Sequence, residues 1–98
     1  HSMTTVIYKF PVSEGLNVVL MPEGSVPLPV AFKERDSIVF YALCPKPAAM
    51  RKREVMGLTT GSELGGAPED YVYAGTVRLP DDPPGTFYVL HVFAGRWR

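Results

Sequence analysis

Tyr71–Leu79 (YVYAGTVRL) and Thr86–Phe93 (TFYVLHVF) face each other across the turn-forming segment PDDPPG, and this stretch decides the fold. Both runs are dense in β-branched and aromatic residues, the types that fit a pleated, half-buried surface. The prolines and glycine between them stop a helix or strand from running through. The second run is apolar on both faces, with Tyr88, Leu90 and Val92 on one and Phe87, Val89 and Phe93 on the other. Such a strand needs cover on both sides. It is expected at the centre of a sandwich or barrel, or buried in an oligomer.

Outward from this pair, the chain has a cadence of short apolar runs. Thr4–Phe10 alternates, with Val6, Tyr8 and Phe10 on one face and Lys9 on the other, and Pro11–Gly15 turns the chain. Leu16–Met21 follows, then Pro22-Glu23-Gly24-Ser25, where proline presets one dihedral and glycine accepts a positive one. In Val26–Lys33 the alternation points Leu28, Val30 and Phe32 inward; Pro27 and Pro29 cannot donate to a ladder, which predicts a sheet edge. Ser37–Cys44 is a second run apolar on both faces. Met50–Leu58 has no decisive period, but Gly57 and the following Thr-Thr-Gly favour a strand over Lys52–Leu58. Thr59–Glu69 is a long glycine-rich loop, and long loops in compact domains are disproportionately functional. The whole predicts an all-β fold: a small antiparallel sandwich or barrel of about seven short strands, with little or no helix. One domain is expected over residues 3–95. His1-Ser2 reads as a cloning remnant, and Arg96–Arg98 as a basic-aromatic tail.

The bulk composition excludes several classes of function. Ten basic residues balance ten acidic ones among 98. A phosphate-binding surface needs an excess of lysine and arginine, so nucleic acid is a disfavoured partner. Cys44 is the single cysteine; it allows no internal disulfide and fits a small buried hydrophobe in a reducing cytoplasm. No apolar run approaches the ~20 residues of a membrane helix. Neither a metal nor a cofactor is expected, since one cysteine and one histidine outside the remnant do not make a tetrahedral site.

For catalysis, His91 would need a carboxylate or nucleophile within reach. No such ordering is legible, so His91 is expected to be structural, bonded to a neighbouring strand or a tyrosine. The Gly57–Gly66 region lacks the lysine and helix of a phosphate cradle. It still offers a backbone nest or lid aided by Thr59, Thr60, Gly61 and Ser62. Arg51-Lys52-Arg53 is a compact basic run, expected to be solvated. A small anionic ligand would therefore be met by that loop, with charge from Lys9, Arg51 and Arg53 and stacking from Tyr73.

Several ordered segments carry a likeness: IYKFP (Ile7–Pro11), MPEGS (Met21–Ser25), FYALC (Phe40–Cys44), MGLTTGSEL (Met56–Leu64), YAGTVRL (Tyr73–Leu79) and LHVF (Leu90–Phe93). The chain resembles a family of small proteins encoded mainly by bacteriophages and prophages. Tyr8, Lys9, Gly24, Gly61, Gly75, Thr76, His91 and Phe93 fall on positions typical of it. The chain departs at the loop, where TTGS stands in place of GTG-H, so a role needing a second histidine is not carried over. The resemblance implies a non-enzymatic phage accessory protein in the host cytoplasm, binding a host or phage protein as a homo-oligomer. The alternatives are a sequestering protein for a nucleotide-like signal and a minor virion component.

Overall fold

β1 (Thr4–Val12), β2 (Gly15–Pro22), β3 (Val26–Glu34), β4 (Ser37–Lys46), β5 (Met50–Thr59), β6 (Val72–Pro80) and β7 (Phe87–Trp97) succeed one another in a computed structural model that describes residues 2–98. The remnant assigned to His1-Ser2 thus begins outside the described residues. The strands form two antiparallel sheets, sheet A with order β1-β4-β3 and sheet B with order β2-β5-β7-β6. The sheets pack face to face as a sandwich; the shortest molecular dimension, 17 Å, is what two stacked layers require. Pro68–Asp70 forms a single 3-10 turn in the long loop between β5 and β6.

The strands apolar on both faces take central places. β4 lies between β1 and β3, and β7 between β5 and β6. Inward-facing Phe10, Val12, Phe40, Ala42 and Cys44 of sheet A meet Val19, Met21, Val55, Ala74 and Val92 of sheet B. Phe10 and Phe40 are register partners with ring centroids 5.6 Å apart. Phe40, Met21, Val55 and Val92 are fully buried, each contributing about 1.5–3 kcal/mol of transfer free energy. Val77, Leu79 and Leu90 form a second, smaller cluster toward the other end, joined to the first through Ala31 and Ile38.

Three expectations are corrected. In β3 the predicted inward face is inverted: Pro27 is buried, whereas Val30 and Phe32 are exposed. Pro27 and Ala31 pair with the inward-facing Ala42 and Phe40 of β4, so the odd-numbered residues turn to the core on both sides of the register shift, although the edge position holds. β7 is not doubly buried. Leu90, Val92 and Ala94 face the core, but Val89, His91 and Phe93 lie half-buried on the outer face of sheet B. Arg96 and Trp97 are no tail: β7 runs through Trp97, whose ring packs on the core, and the Arg98 amide donates to the Lys52 carbonyl at 2.8 Å.

One side of the sandwich is locked backbone to backbone. β3, the edge of sheet A, lies against β6, the edge of sheet B. β6 carries a register shift between Tyr73 and Gly75, which turns both Ala74 and Gly75 inward. Gly75 has φ +124°, and a Cβ there would sit 2.6 Å from the Ala31 backbone nitrogen. Glycine is required twice over, by dihedral and by space.

Gly75→Ala is therefore expected to lose about 2–4 kcal/mol in urea denaturation, from left-handed strain and overpacking together. Gly61→Ala is the comparison: φ there is +92° but nothing lies within 4 Å of the added carbon. It should lose about 1 kcal/mol, the dihedral strain alone.

Candidate functional site

The residues predicted to bind a ligand do not converge. β5 ends in a tight turn at Thr59–Ser62, closed by the Ser62 amide on the Thr59 carbonyl at 3.1 Å. Thr59 and Ser62 pair their hydroxyls at 3.0 Å, and Thr60 Oγ1 lies 2.9 Å from His91 Nε2. On the far side of the ring, His91 Nδ1 lies 3.3 Å from Thr76 Oγ1, which is 2.6 Å from the Tyr73 hydroxyl. Thr60, His91, Thr76 and Tyr73 thus form one polar chain across the outer face of sheet B. The β6 register shift makes it possible, by returning Tyr73 and Thr76 to the same face. Histidine engaged by a neighbouring strand was expected; Thr76 as its partner was not.

This chain has limited chemical capacity as it stands. His91 is within proton-transfer distance of the Thr60 hydroxyl. Among the described residues no carboxylate is hydrogen-bonded to the ring, so hydroxyls alone set its orientation. The Phe93 ring stacks obliquely on Tyr73 at 5.7 Å, and a shallow cavity of about 280 Å³ lies between Phe93, Leu64, Pro68 and Tyr71. The loop bordering it is held from within. Tyr71 donates its hydroxyl to the Gly65 carbonyl, and Asp70 Oδ2 accepts from the Ala67 amide at 2.8 Å. Among the described residues no group of three or more His, Cys, Asp or Glu is placed to hold a metal ion.

The charged candidates lie elsewhere. Lys9 is on the outer face of sheet A, 2.6 Å from Glu34, whose hydrogen bond raises the lysine pKa. The two outer faces point away from each other, so Lys9 cannot serve the loop. Arg53 is a correction: it is buried rather than solvated, because it occupies an inward position of β5 next to Val55. Its Nε donates to the Gly95 carbonyl at 3.0 Å and its Nη1 to the Ser25 carbonyl at 3.2 Å. The guanidinium lies 4.8 Å from the centre of the Trp97 ring. Burial lowers its pKa, yet an arginine retains its charge through any such shift. Arg51 caps the same corner, bonding the Arg98 carbonyl at 2.9 Å and pairing with Glu23 at 3.6 Å.

On the outer face beside this corner, Glu54 receives Arg98 at 3.0 Å and Arg96 at 3.3 Å. These two guanidiniums, Arg98 foremost, hold its carboxyl below the ordinary value.

Two apolar surfaces were not anticipated. On the outer face of sheet A, Ile7, Leu43 and Val26 are register partners in one row across all three strands. Phe32 and Tyr41 adjoin that row, their rings edge to face at 6.1 Å. Ile7, Val26 and Phe32 are each more than half exposed. Ile7 was legible as an apolar residue off the Val6-Tyr8-Phe10 phase; Val26 was obscured by the prolines that follow it. The second surface is a groove of about 630 Å³ between the sheets, lined by Phe10, Val12, Val19, Ile38, Leu79 and Leu90. It opens beside β1 and β2, with Glu14 and Asp36 at its rim.

Arg53→Leu is expected to cost about 2–3 kcal/mol in urea denaturation, since two buried carbonyls lose their donor. Arg53→Lys should leave most of that loss in place, because an ammonium does not reproduce the planar fork. Glu54 has a folded-state pKa below its unfolded value. Its contribution is therefore present above the ordinary carboxylate range and lost as pH falls through the lowered value. Wild-type melting temperature should drop more between about pH 5 and pH 3 than that of Glu54→Gln, with the two curves converging in acid.

No curated protein and no solved structure matches the chain in sequence or fold. A family model described as a domain of unknown function, DUF7352, matches residues 3–97, which takes in β1 through β7. The chain belongs to the DUF7352 family.

Proposed function

We propose that the protein is a non-enzymatic binding module whose partner is another protein, met on the outer face of sheet A. The observation that carries this reading is the exposed row Ile7–Leu43–Val26 with Phe32 and Tyr41 beside it. Side chains opposite one another on a sheet lie about 5 Å apart, so the row is a continuous apolar strip rather than scattered residues. Contiguous exposed apolar surface of this kind is characteristic of interaction sites. Lys9, the register partner of Tyr41, reaches across β4 to Glu34 at 2.6 Å, so the charge beside the strip is neutralised and adds orientation more than affinity. Lys9, Arg51 and Arg53 and the hydroxyls of Thr59, Thr60 and Ser62 are bonded to other groups of the chain, which supports contact over chemistry as its mode of action.

The setting we propose is a phage or prophage product acting in the bacterial cytoplasm. Its support is the ordered likeness from Ile7 to Phe93. No helix is long and apolar enough to cross a membrane among the described residues.

The Thr60–His91–Thr76–Tyr73 chain favours a second reading, a small polar ligand on the outer face of sheet B. Nucleotides at millimolar concentration would then raise the melting temperature by mass action, and Thr76→Val would abolish the rise.

The main reading predicts that wild-type protein captures a defined partner from bacterial lysate, and that Ile7→Lys/Phe32→Lys does not. The double variant should keep the wild-type melting temperature within a few degrees, since both residues are exposed. Equal capture by the two proteins, or none by either, would overturn it.

A further inference from the structure

We infer that β2 is a docking edge for a second copy of this chain, pairing with its own counterpart to join two B sheets into one continuous eight-stranded sheet. This inference is independent of what covers sheet A, and it rests on a comparison of the four sheet edges.

An edge strand presents a row of unpaired backbone donors and acceptors, and proteins normally block it. Three of the edges here are blocked. β3 carries Pro27 and Pro29 and a broken register, and it lies against β6. β6 is bulged at Ala74 and covered in turn by β3. β1 has Lys9 and Pro11 along its length. β2 has none of these devices before its last residue, Pro22. Gly15–Met21 contains no charge and no proline, and its register with β5 is unbroken from Gly15 to Pro22. Its outer-face side chains are Leu16, Val18 and Leu20, at 59%, 44% and 55% exposure.

The strand is also complementary to itself. A two-fold axis through Val18, perpendicular to the sheet, places Val18 opposite Val18 of the second copy. Leu16 then faces Leu20, and Leu20 faces Leu16. Cross-strand aliphatic pairs of this kind stabilise a sheet, and with no charge on the strand nothing repels across the axis. Any other partner strand would have to match this uncharged, apolar edge, and a second copy does so by symmetry.

There is room for it. Sheet B has four strands and sheet A three, and β3 against β6 aligns the sheets on one side. The surplus width therefore falls on the β2 side, where the inter-sheet groove bordered by Val18–Leu20 opens. A strand added to β2 lies across the mouth of that groove and removes more apolar surface from water than the ladder alone.

Sedimentation of the wild-type protein at 100 µM should give about twice the 10.8 kDa chain mass. Val18→Lys places two ammonium groups opposite each other and should raise the dimer dissociation constant by at least about tenfold. Val18→Cys should yield a disulfide-linked dimer under mild oxidation, because opposed residues of an antiparallel pair have Cα atoms about 4.5–5.5 Å apart, within disulfide reach. Tyr73→Cys, exposed on β6 at the other edge, should not cross-link under the same conditions. A wild-type monomer at 100 µM, or a dimer that Val18→Lys leaves intact and Val18→Cys fails to link, would overturn the inference. Ile7→Lys/Phe32→Lys should remain dimeric, so that loss of partner capture and loss of self-association are read separately.

Discussion

The Gly75 Cα lies so close to the Ala31 backbone that a methyl group would not fit between them, and much of the molecule follows from that approach. It brings the β3 and β6 edges together, closing one side of the sandwich without a hydrogen-bonded ladder. The β6 irregularity that permits it turns Ala74 and Gly75 inward and returns Thr76 to the outer face. Thr76 then reaches His91, and the polar chain on sheet B exists because of a packing requirement on the opposite face. Because the sheets differ by one strand, alignment on this side also determines where the uncovered width falls. The groove and the unblocked β2 edge are on the far side for the same reason.

The charge distribution obeys a second constraint, satisfaction of buried polar groups. The turn Pro22–Ser25 and the end of β7 bring the Ser25 and Gly95 carbonyls into one corner beside Arg53. Arg53 supplies both donors from a single planar group and stacks on Trp97. Arg51, Arg96 and Arg98 then bond carbonyl or carboxylate groups on the surrounding surface. What looked in sequence like a basic patch for an anion is a set of internal ties.

Legibility in the sequence tracked how local the determining physics is. The seven strands, the Tyr71–Phe93 hairpin and the Pro22–Ser25 turn were readable because alternation and turn chemistry act within a few residues. The central places of β4 and β7 were readable because a strand apolar on both faces cannot sit at a wet edge. The inward face of β3 was misread, because it is set by pairing Pro27 and Ala31 with the core residues Ala42 and Phe40 of β4, a register that the strand's own pattern does not reveal. Arg53 was misread because burial of a cation depends on carbonyls from residues 28 and 42 positions away. Thr76 was missed as a partner of His91, since the pairing requires a register shift that no spacing rule reveals.

The amino-acid sequence by itself determined the all-β class, the number of strands and the interior places of β4 and β7. Each of these follows from hydrophobic periodicity and from the dihedral limits of proline and glycine. Only the tertiary structure decided which edges meet, which arginine is buried, and which apolar residues remain on the surface. Those outcomes depend on backbone approach and register between distant segments: a methyl excluded at Gly75, a slip at Pro27–Ala31, and a fourth strand in one sheet with no counterpart in the other.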